Sequence, residues 1–239
     1  MLKEHETDFL PTYFLNMART IAIGDIHGCL AAFDSLLAAI DPTPDDTIVT
    51  LGDYVDRGPN SKGVIDRLLD LEQKVKLVAL RGNHEDMLLE VLSGTIPPYS
   101  WLNHGGVDTM DSYGFVGDLN CIPKEHLDFF DRLPSYFENE THFCVHANYD
   151  EELSLDEQPL DLLRWTKISQ RLPGPHISGK KAVVGHTHDR DGRIFELPHL
   201  VCIDTYCYGG RWLTALDLDS GDVWQSTPAG ELVRQPEPI

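Results

Sequence analysis

Three times in its first half the chain repeats one unit: a short apolar run, a glycine-bounded polar loop, then a helical stretch. Thr20–Ile23 leads into GDIHG (24–28) and the Ala/Leu-rich Leu30–Ile40. Ile48–Leu51 leads into GDYVDRG (52–58) and Ser61–Leu71, with Pro59 suited to a first helical turn. Val75–Leu80 leads into RGNHE (81–85) and Asp86–Leu92. Strands alternating with helices predict an α/β fold whose polar loops gather at the carboxyl ends of its strands, where such sheets collect ligands.

Beyond residue 92 the pattern loosens. Residues 93–140, beginning SGTIPPYSWLNHGGVDTMDSYG, read as an insertion lying over those loops like a lid. Apolar runs return at Thr141–Val145, Ala182–Val184, Leu200–Ile203 and Leu213–Leu216, with little helix between the last of them, which predicts a more antiparallel second half. Residues 1–16 lack a clear period and read as an arm ahead of a plausible second start at Met17. The expected domain is 17–226, with 227–239 a loosely held tail.

A length of 239 residues suits one large domain. The formal charge of −20 argues against nucleic-acid or anionic-membrane partners, which require a basic face. The five cysteines form no C-x-x-C pair, as expected of a reduced, cytoplasmic protein. No run is long enough to cross a bilayer, and no signal peptide is visible.

The chemistry concentrates at the strand ends. Asp25 and His27, at i and i+2, point to one side of an extended segment. Asp53 follows the second strand, and Asn83 with His84 the third. His146 follows Thr141–Val145, and His186 with His188 follows Ala182–Val184. A single D-x-H or G-D loop is ordinarily just a turn. Five such clusters, each closing an apolar run, are not. Oxygen and imidazole donors without thiolate suit Mn²⁺, Fe or Zn²⁺ better than Ca²⁺ or a structural cysteine-zinc site. His5, His126, His142, His176 and His199 carry no expected function, and Cys144, Trp101, Trp165 and Trp212 read as packing residues.

GDIHG, GDYVDRG and RGNHE, followed by CVHAN and GHTH, resemble the signature of the calcineurin-like metallophosphoesterases, and among them the compact bacterial and phage serine/threonine phosphatases. The resemblance runs from residue 24 to 188, and IDTYCYGG extends it to about 217. It implies a four-layer αββα sandwich, two mixed β-sheets flanked by helices, and a dinuclear centre most often filled by manganese, with iron or zinc as alternatives. Carried over by position, Asp25 and His27 bind the first ion, Asp53 bridges, and Asn83, His146 and His186 bind the second. His188 is expected to be a ligand or to sit just behind one.

The resemblance implies that two ions would make a shared water nucleophilic toward phosphorus, with no phosphoenzyme needed. Arg57 and Asn83 hold the phosphoryl oxygens, while His84, oriented by Asp56, protonates the leaving group. A further phosphate-binding cation is expected in DLLRWTKIS (161–169). Lys167 occupies the usual arginine position there, and Arg164 is the favoured candidate. Tyr206 stands where many relatives carry glycine. The implied substrate is a phosphorylated protein, modified on serine or threonine, or a small phosphoester. Hydrolysis of symmetrical dinucleoside tetraphosphates, another phosphodiester cleavage, or a purely structural metal module are the alternatives. GDYVDRG and GNHE lean toward phosphomonoesters, and His84, Asp56 and Arg57 have no use in a structural site.

Overall fold

The computed structural model describes residues 18–117 and 121–233. The expected arm lies outside the described residues. Among the described residues eleven strands form two sheets. The first sheet contains β1 (Thr20–Ile23), β2 (Thr47–Thr50), β3 (Lys76–Ala79), β9 (Leu213–Asp217), β10 (Val223–Ser226) and β11 (Leu232–Val233), in the order β11-β10-β9-β1-β2-β3. The second contains β4 (Tyr136–Glu138), β5 (His142–Val145), β6 (Lys181–Val184), β7 (Phe195–Leu197) and β8 (Leu200–Cys202), in the order β4-β5-β6-β8-β7.

Side-chain alternation builds the layers. Ala22, Val49, Cys144, Val183 and Val201 share one buried cluster between the sheets. Their neighbours Ile21, Ile23 and Ile48 turn the other way, into a core shared with helices α1 (Leu30–Ile40), α2 (Ser61–Glu72) and α3 (Asn83–Leu92). Phe143, Val145, Ala182, Val184, Leu200 and Cys202 face a third cluster with Tyr149, Leu163 and Ile168. Both sheets are therefore buried on two faces, which gives the αββα sandwich. The central strands β1, β2, β5, β6 and β8 are apolar because water reaches neither side of them, whereas the edge strands β3, β4, β7 and β11 are partly exposed.

Helix α3 begins at Asn83 rather than Asp86. Glu85 reaches back to the Gly82 N–H in a capping box, and that contact starts the helix inside the polar loop. The second half is the more antiparallel one, as expected, with β4–β5, β7–β8, β9–β10, β10–β11 and β1–β9 paired antiparallel, but not throughout: β5, β6 and β8 run parallel, linked by long crossovers that are mostly loop. Nor is everything after Ser226 loose, since Leu232 and Val233 pair with β10.

Residues 93–117 and 121–140 fold as α4 (Pro98–Trp101), a wide turn at Leu102–Gly106, α5 (Val107–Ser112), α6 (Lys124–Asp131) and β4. Trp101, Met110, Tyr113, Phe129 and Phe130 are buried in the same core as α1–α3. Those apolar side chains tie the segment into the body of the domain. His126 locks it down further. One ring nitrogen meets the Tyr113 hydroxyl at 2.7 Å and the other meets Asp66 of α2 at 3.0 Å.

Among the described residues no helix is long and apolar enough to cross a membrane. At the entry to the first sheet, Asp46 accepts hydrogen bonds from the Arg19 backbone (2.9 Å), the Arg19 guanidinium (2.7 Å) and the Thr43 backbone (2.8 Å). Asp46→Ala strands these donors and is expected to cost about 1–3 kcal/mol in a denaturant unfolding experiment.

Candidate metal centre

The loops after β1, β2, β3, β5 and β6 meet at one edge of the sandwich. Two groups of ligand atoms form there, each within 4.8 Å: His27, Asp53 and His84, and Asp53, His146 and His186. Asp53 belongs to both. Asn83 adds its Oδ1 to the second group, 3.1 Å from His146 Nε2.

The imidazole tautomers disclose what the site is built for. His146 Nδ1 donates to the Leu51 carbonyl at 2.8 Å, so Nε2 carries a lone pair. That lone pair faces Asn83 Oδ1 at 3.1 Å and Asp53 Oδ1 at 3.4 Å. Three acceptors confront one another with no hydrogen between them. His27 repeats the arrangement, donating from Nδ1 to the Val55 carbonyl (2.9 Å) and aiming Nε2 at Asp53 Oδ2 (3.4 Å). His186 donates from Nε2 to the Trp165 carbonyl at 3.0 Å, leaving Nδ1 free. Histidines held this way, by backbone carbonyls, present fixed lone pairs to a cation.

The electrostatics point the same way. Burial pushes the Asp25 pKa well above the usual carboxylate range, and the charges of Asp204 and Asp53 push it further. Asp204 is itself raised to about 7, by burial first. Burial lowers the pKa values of His27 and His146, and that of His186 to about 3, keeping these imidazoles neutral as ligands must be. Crowded carboxylates and neutral imidazoles are costly without positive charge among them. The donor set fits divalent ions.

Backbone conformation bears the cost of this convergence. Among the described residues seven non-glycine residues have positive φ; His27, Asp53, Asp56, Arg57 and His186 are in these loops, and Tyr206 is in the neighbouring loop after β8. Each such residue costs about 1–3 kcal/mol, and strain of this kind concentrates at functional sites. Glycines admit the carboxylates. A Cβ at Gly82 would collide with Asp53 Oδ1, and one at Gly185 with Asp25 Oδ1.

The structure does not place every expected residue alike. Asp25 lies beside the two ligand groups, where its carboxylate accepts the His186 backbone N–H at 3.1–3.2 Å, and His84 stands in the first group instead. His188 belongs to neither group, because its ring stacks on Tyr206 with centroids 4.4 Å apart. Arg164 is buried and committed elsewhere: it donates to both Asp86 oxygens (2.8 and 3.0 Å) and to Ser135 Oγ (2.8 Å). The Arg164 guanidinium is thus occupied away from the ligand groups, while the charge of Lys167 reaches His186 and His188. Trp165 is not a packing residue either, being 40% exposed.

His84 and Asp56 form a buried pair, Nδ1 to Oδ2 at 2.6 Å. Burial pulls the His84 pKa down, but Asp53 and the Asp56 hydrogen bond outweigh it, and the net shift is upward. Asp56 is held in turn by the Trp101 indole N–H (2.8 and 2.9 Å) and by the Thr109 hydroxyl (2.7 Å). Arg57 receives its own support from the same segment, with its backbone N–H donating to the Gly105 carbonyl at 3.2 Å. Its guanidinium lies 4.4 Å over the Tyr208 ring and 3.4 Å from His27 Nε2.

Three supporting residues escaped the sequence reading. Trp101 looked like ordinary core. Asp204 stands just beyond a strand end, in the quoted IDTYCYGG, and that position was a usable signal. Glu85 is the third. It is fully buried, and its carboxylate accepts N–H groups from Asp53 (2.9 Å), Tyr54 (2.7 Å), Val55 (3.3 Å) and Gly82 (3.0 Å). It thus ties the second loop to the third. Glu85→Gln turns an amide donor toward these N–H groups and is expected to lower the unfolding free energy of the metal-free protein by about 1–3 kcal/mol, read by chemical denaturation.

Comparison with known proteins gives these loops a lineage. Serine/threonine-protein phosphatase 1 of Salmonella typhimurium is 31% identical over 209 residues, covering 83% of this chain and 91% of that protein. A symmetrical bis(5'-nucleosyl)-tetraphosphatase of a Janthinobacterium species is 32% identical over 129 residues, 54% of this chain and 43% of that protein. Another from Acidovorax ebreus reaches 46% identity over 77 residues, but only 27% of its length. In fold, a crystal structure of a putative diadenosine tetraphosphatase matches 90% of this chain and 95% of its own with a TM-score of 0.67 at 24% identity. The family model for calcineurin-like phosphoesterases matches residues 18–220, and since that span holds every strand of the sandwich but the last two together with all of the converging loops, the chain belongs to the calcineurin-like phosphoesterase family.

Proposed function

We propose that the chain is a metal-dependent phosphomonoesterase acting on phosphoserine and phosphothreonine in proteins. The observation that carries this reading is the buried His84–Asp56 pair, 2.6 Å apart and adjoining a ligand group centred on Asp53. An alkoxide is a poor leaving group and requires a proton. A histidine whose pKa is raised by neighbouring carboxylates is suited to provide one. In sequence, the similarity to serine/threonine-protein phosphatase 1 covers 91% of that relative and the similarity to the two tetraphosphatases 43% and 27% of theirs, while in fold the putative diadenosine tetraphosphatase is matched over 95% of its chain. The coverage in sequence supports the monoester over the dinucleoside substrate.

Asp25, His27 and Asp53 are assigned to one ion, and Asp53, Asn83, His146 and His186 to the other, manganese being the favoured metal. A pair of divalent ions supplies Lewis acidity, making water nucleophilic at neutral pH and withdrawing charge from phosphoryl oxygens. The side chains do the rest. Backbone carbonyls hold the imidazoles in the ligating tautomer. Arg57, cradled between Tyr208 and the Gly105 turn, engages phosphoryl oxygens with its planar fork. Lys167, whose charge reaches His186, is assigned as a second cation for the phosphoryl group. Asp56 fixes the His84 ring so that Nε2 faces the leaving oxygen, while Trp101 and Thr109 fix Asp56.

Chelation is expected to abolish phosphatase activity, and Mn²⁺ titration to restore it to a plateau near two ions per chain, measured by metal analysis alongside turnover. A plateau at one ion contradicts the assignment. His84→Asn is expected to slow hydrolysis of phosphoseryl peptides by about 10²–10⁴-fold. Its effect on p-nitrophenyl phosphate should be far smaller, because that leaving group needs little protonation. Equal losses on both substrates would remove His84 from the acid role.

A further inference from the structure

In a chain of formal charge −20 an arginine readily finds an acid. Arg19, Arg67, Arg132, Arg164 and Arg171 each lie 2.6–3.0 Å from a carboxylate oxygen. Arg57 does not. Among the described residues no carboxylate stands at ion-pair distance from its guanidinium, although the loops that carry Asp25, Asp53 and Asp56 surround it. What lies against the guanidinium is the Tyr208 ring, 4.4 Å from Cζ to centroid.

The other contacts of Arg57 fix its backbone and stem more than its head. Its N–H donates to the Gly105 carbonyl at 3.2 Å, and a Cβ on Gly105 would strike its Cγ. Nε faces the His104 carbonyl at 3.4 Å, and Nη1 faces His27 Nε2, also at 3.4 Å. Both are long for hydrogen bonds. The His27 lone pair is moreover assigned to a metal ion, so it does not serve Arg57 in the loaded protein. That leaves the ring of Tyr208 as the support of the head.

An aromatic partner suits a phosphate clamp for a chemical reason. A carboxylate would occupy the N–H groups that phosphoryl oxygens need and cancel the charge that attracts them. A ring face attracts a guanidinium through its quadrupole, carries no net charge and leaves the planar N–H fork free. The ring must not wander, and this one is walled in. Tyr208 meets the His27 ring edge-on at 4.8 Å and the Tyr206 ring at 4.8 Å. It packs on the core shared with α1–α3, in which its neighbour Cys207 is buried.

We propose that Tyr208 is the positioning residue of the phosphate clamp, its ring face holding the Arg57 guanidinium at the metal centre with charge and N–H groups free for substrate. The proposal rests on the phosphomonoesterase reading, which makes Arg57 a partner of the phosphoryl group. It adds to that reading a contribution from the loop after β8, to which no metal ligand is assigned.

The test is the binding of inorganic phosphate to the manganese-loaded full-length chain, read by titration calorimetry beside the manganese content of each variant. Tyr208→Leu removes the ring face and is expected to weaken phosphate binding about two- to thirtyfold, with two ions still bound. Tyr208→Phe keeps a ring face and should recover most of that loss. A pentafluorophenyl ring introduced at position 208 keeps the shape but reverses the electrostatic sign of the face, so phosphate should bind it as weakly as it binds Tyr208→Leu. A ring that acts by shape alone would not register the fluorines, and this pair decides the matter even if Tyr208→Leu fails to fold. Equal phosphate affinity in the phenyl and pentafluorophenyl proteins overturns the proposal. So does a loss in Tyr208→Phe as large as in Tyr208→Leu, which would assign the role to the hydroxyl. Loss of an ion in Tyr208→Leu overturns it as well, making the ring a support for His27. A wild-type protein that holds two ions but no inorganic phosphate is a different result: it overturns Arg57 as a phosphate clamp and the phosphomonoesterase reading with it.

Discussion

Everything in this structure answers to one electrostatic problem. Buried carboxylate oxygens and imidazole lone pairs are aimed at common points, with Asp53 shared between two groups. Acceptors facing acceptors at 3.1–3.4 Å repel unless a cation lies among them. Maintaining that convergence requires the imidazole N–H groups to be anchored on backbone carbonyls, six loop residues to adopt left-handed φ, and glycines to stand where a methyl group would displace a carboxylate. The stability for all this comes from elsewhere, from two sheets buried on both faces and the helices packed against them.

Responsibility for the site is divided among parts of the chain distant in sequence. The first sheet supplies Asp25, His27, Asp53 and Asn83, while the second supplies His146 and His186. The inter-sheet packing of Ala22, Val49, Cys144 and Val183 thereby sets the spacing of one ligand group against the other. The segment after α3 supplies no ligand yet decides the acid. Trp101 and Thr109 clasp Asp56, and the Gly105 turn clasps Arg57. Glu85 does the equivalent work on the other side, joining two loops through four backbone N–H groups. A site assembled this way is rigid by construction, which is what preorganised electrostatics requires.

Much of this was legible from residues alone. β1 and α1 were read with their observed limits, because alternation, glycine and helix-forming runs agree locally there. The converging residues were legible because each closes an apolar run. Errors arose where the deciding interaction is remote. Arg164 reads as a phosphate ligand in the sequence, but in the fold its Nη1 donates to both oxygens of Asp86 and its Nη2 to Ser135 Oγ. The parallel pairing of β5, β6 and β8 was hidden because their crossovers are loops, and strand direction leaves no mark on composition.

The sequence by itself determined which chemical groups are present and that they close strands: carboxylates, an amide and imidazoles on glycine-bounded loops, with no thiolate among them. Periodicity and turn chemistry are local, so they survive reading one residue at a time. Only the tertiary structure decided which of these groups face one another, which imidazole nitrogen keeps its lone pair, which cation reaches the site, and that His188 turns to Tyr206. Those outcomes depend on contacts between residues tens of positions apart, and such contacts exist only once both sheets have closed around a shared core.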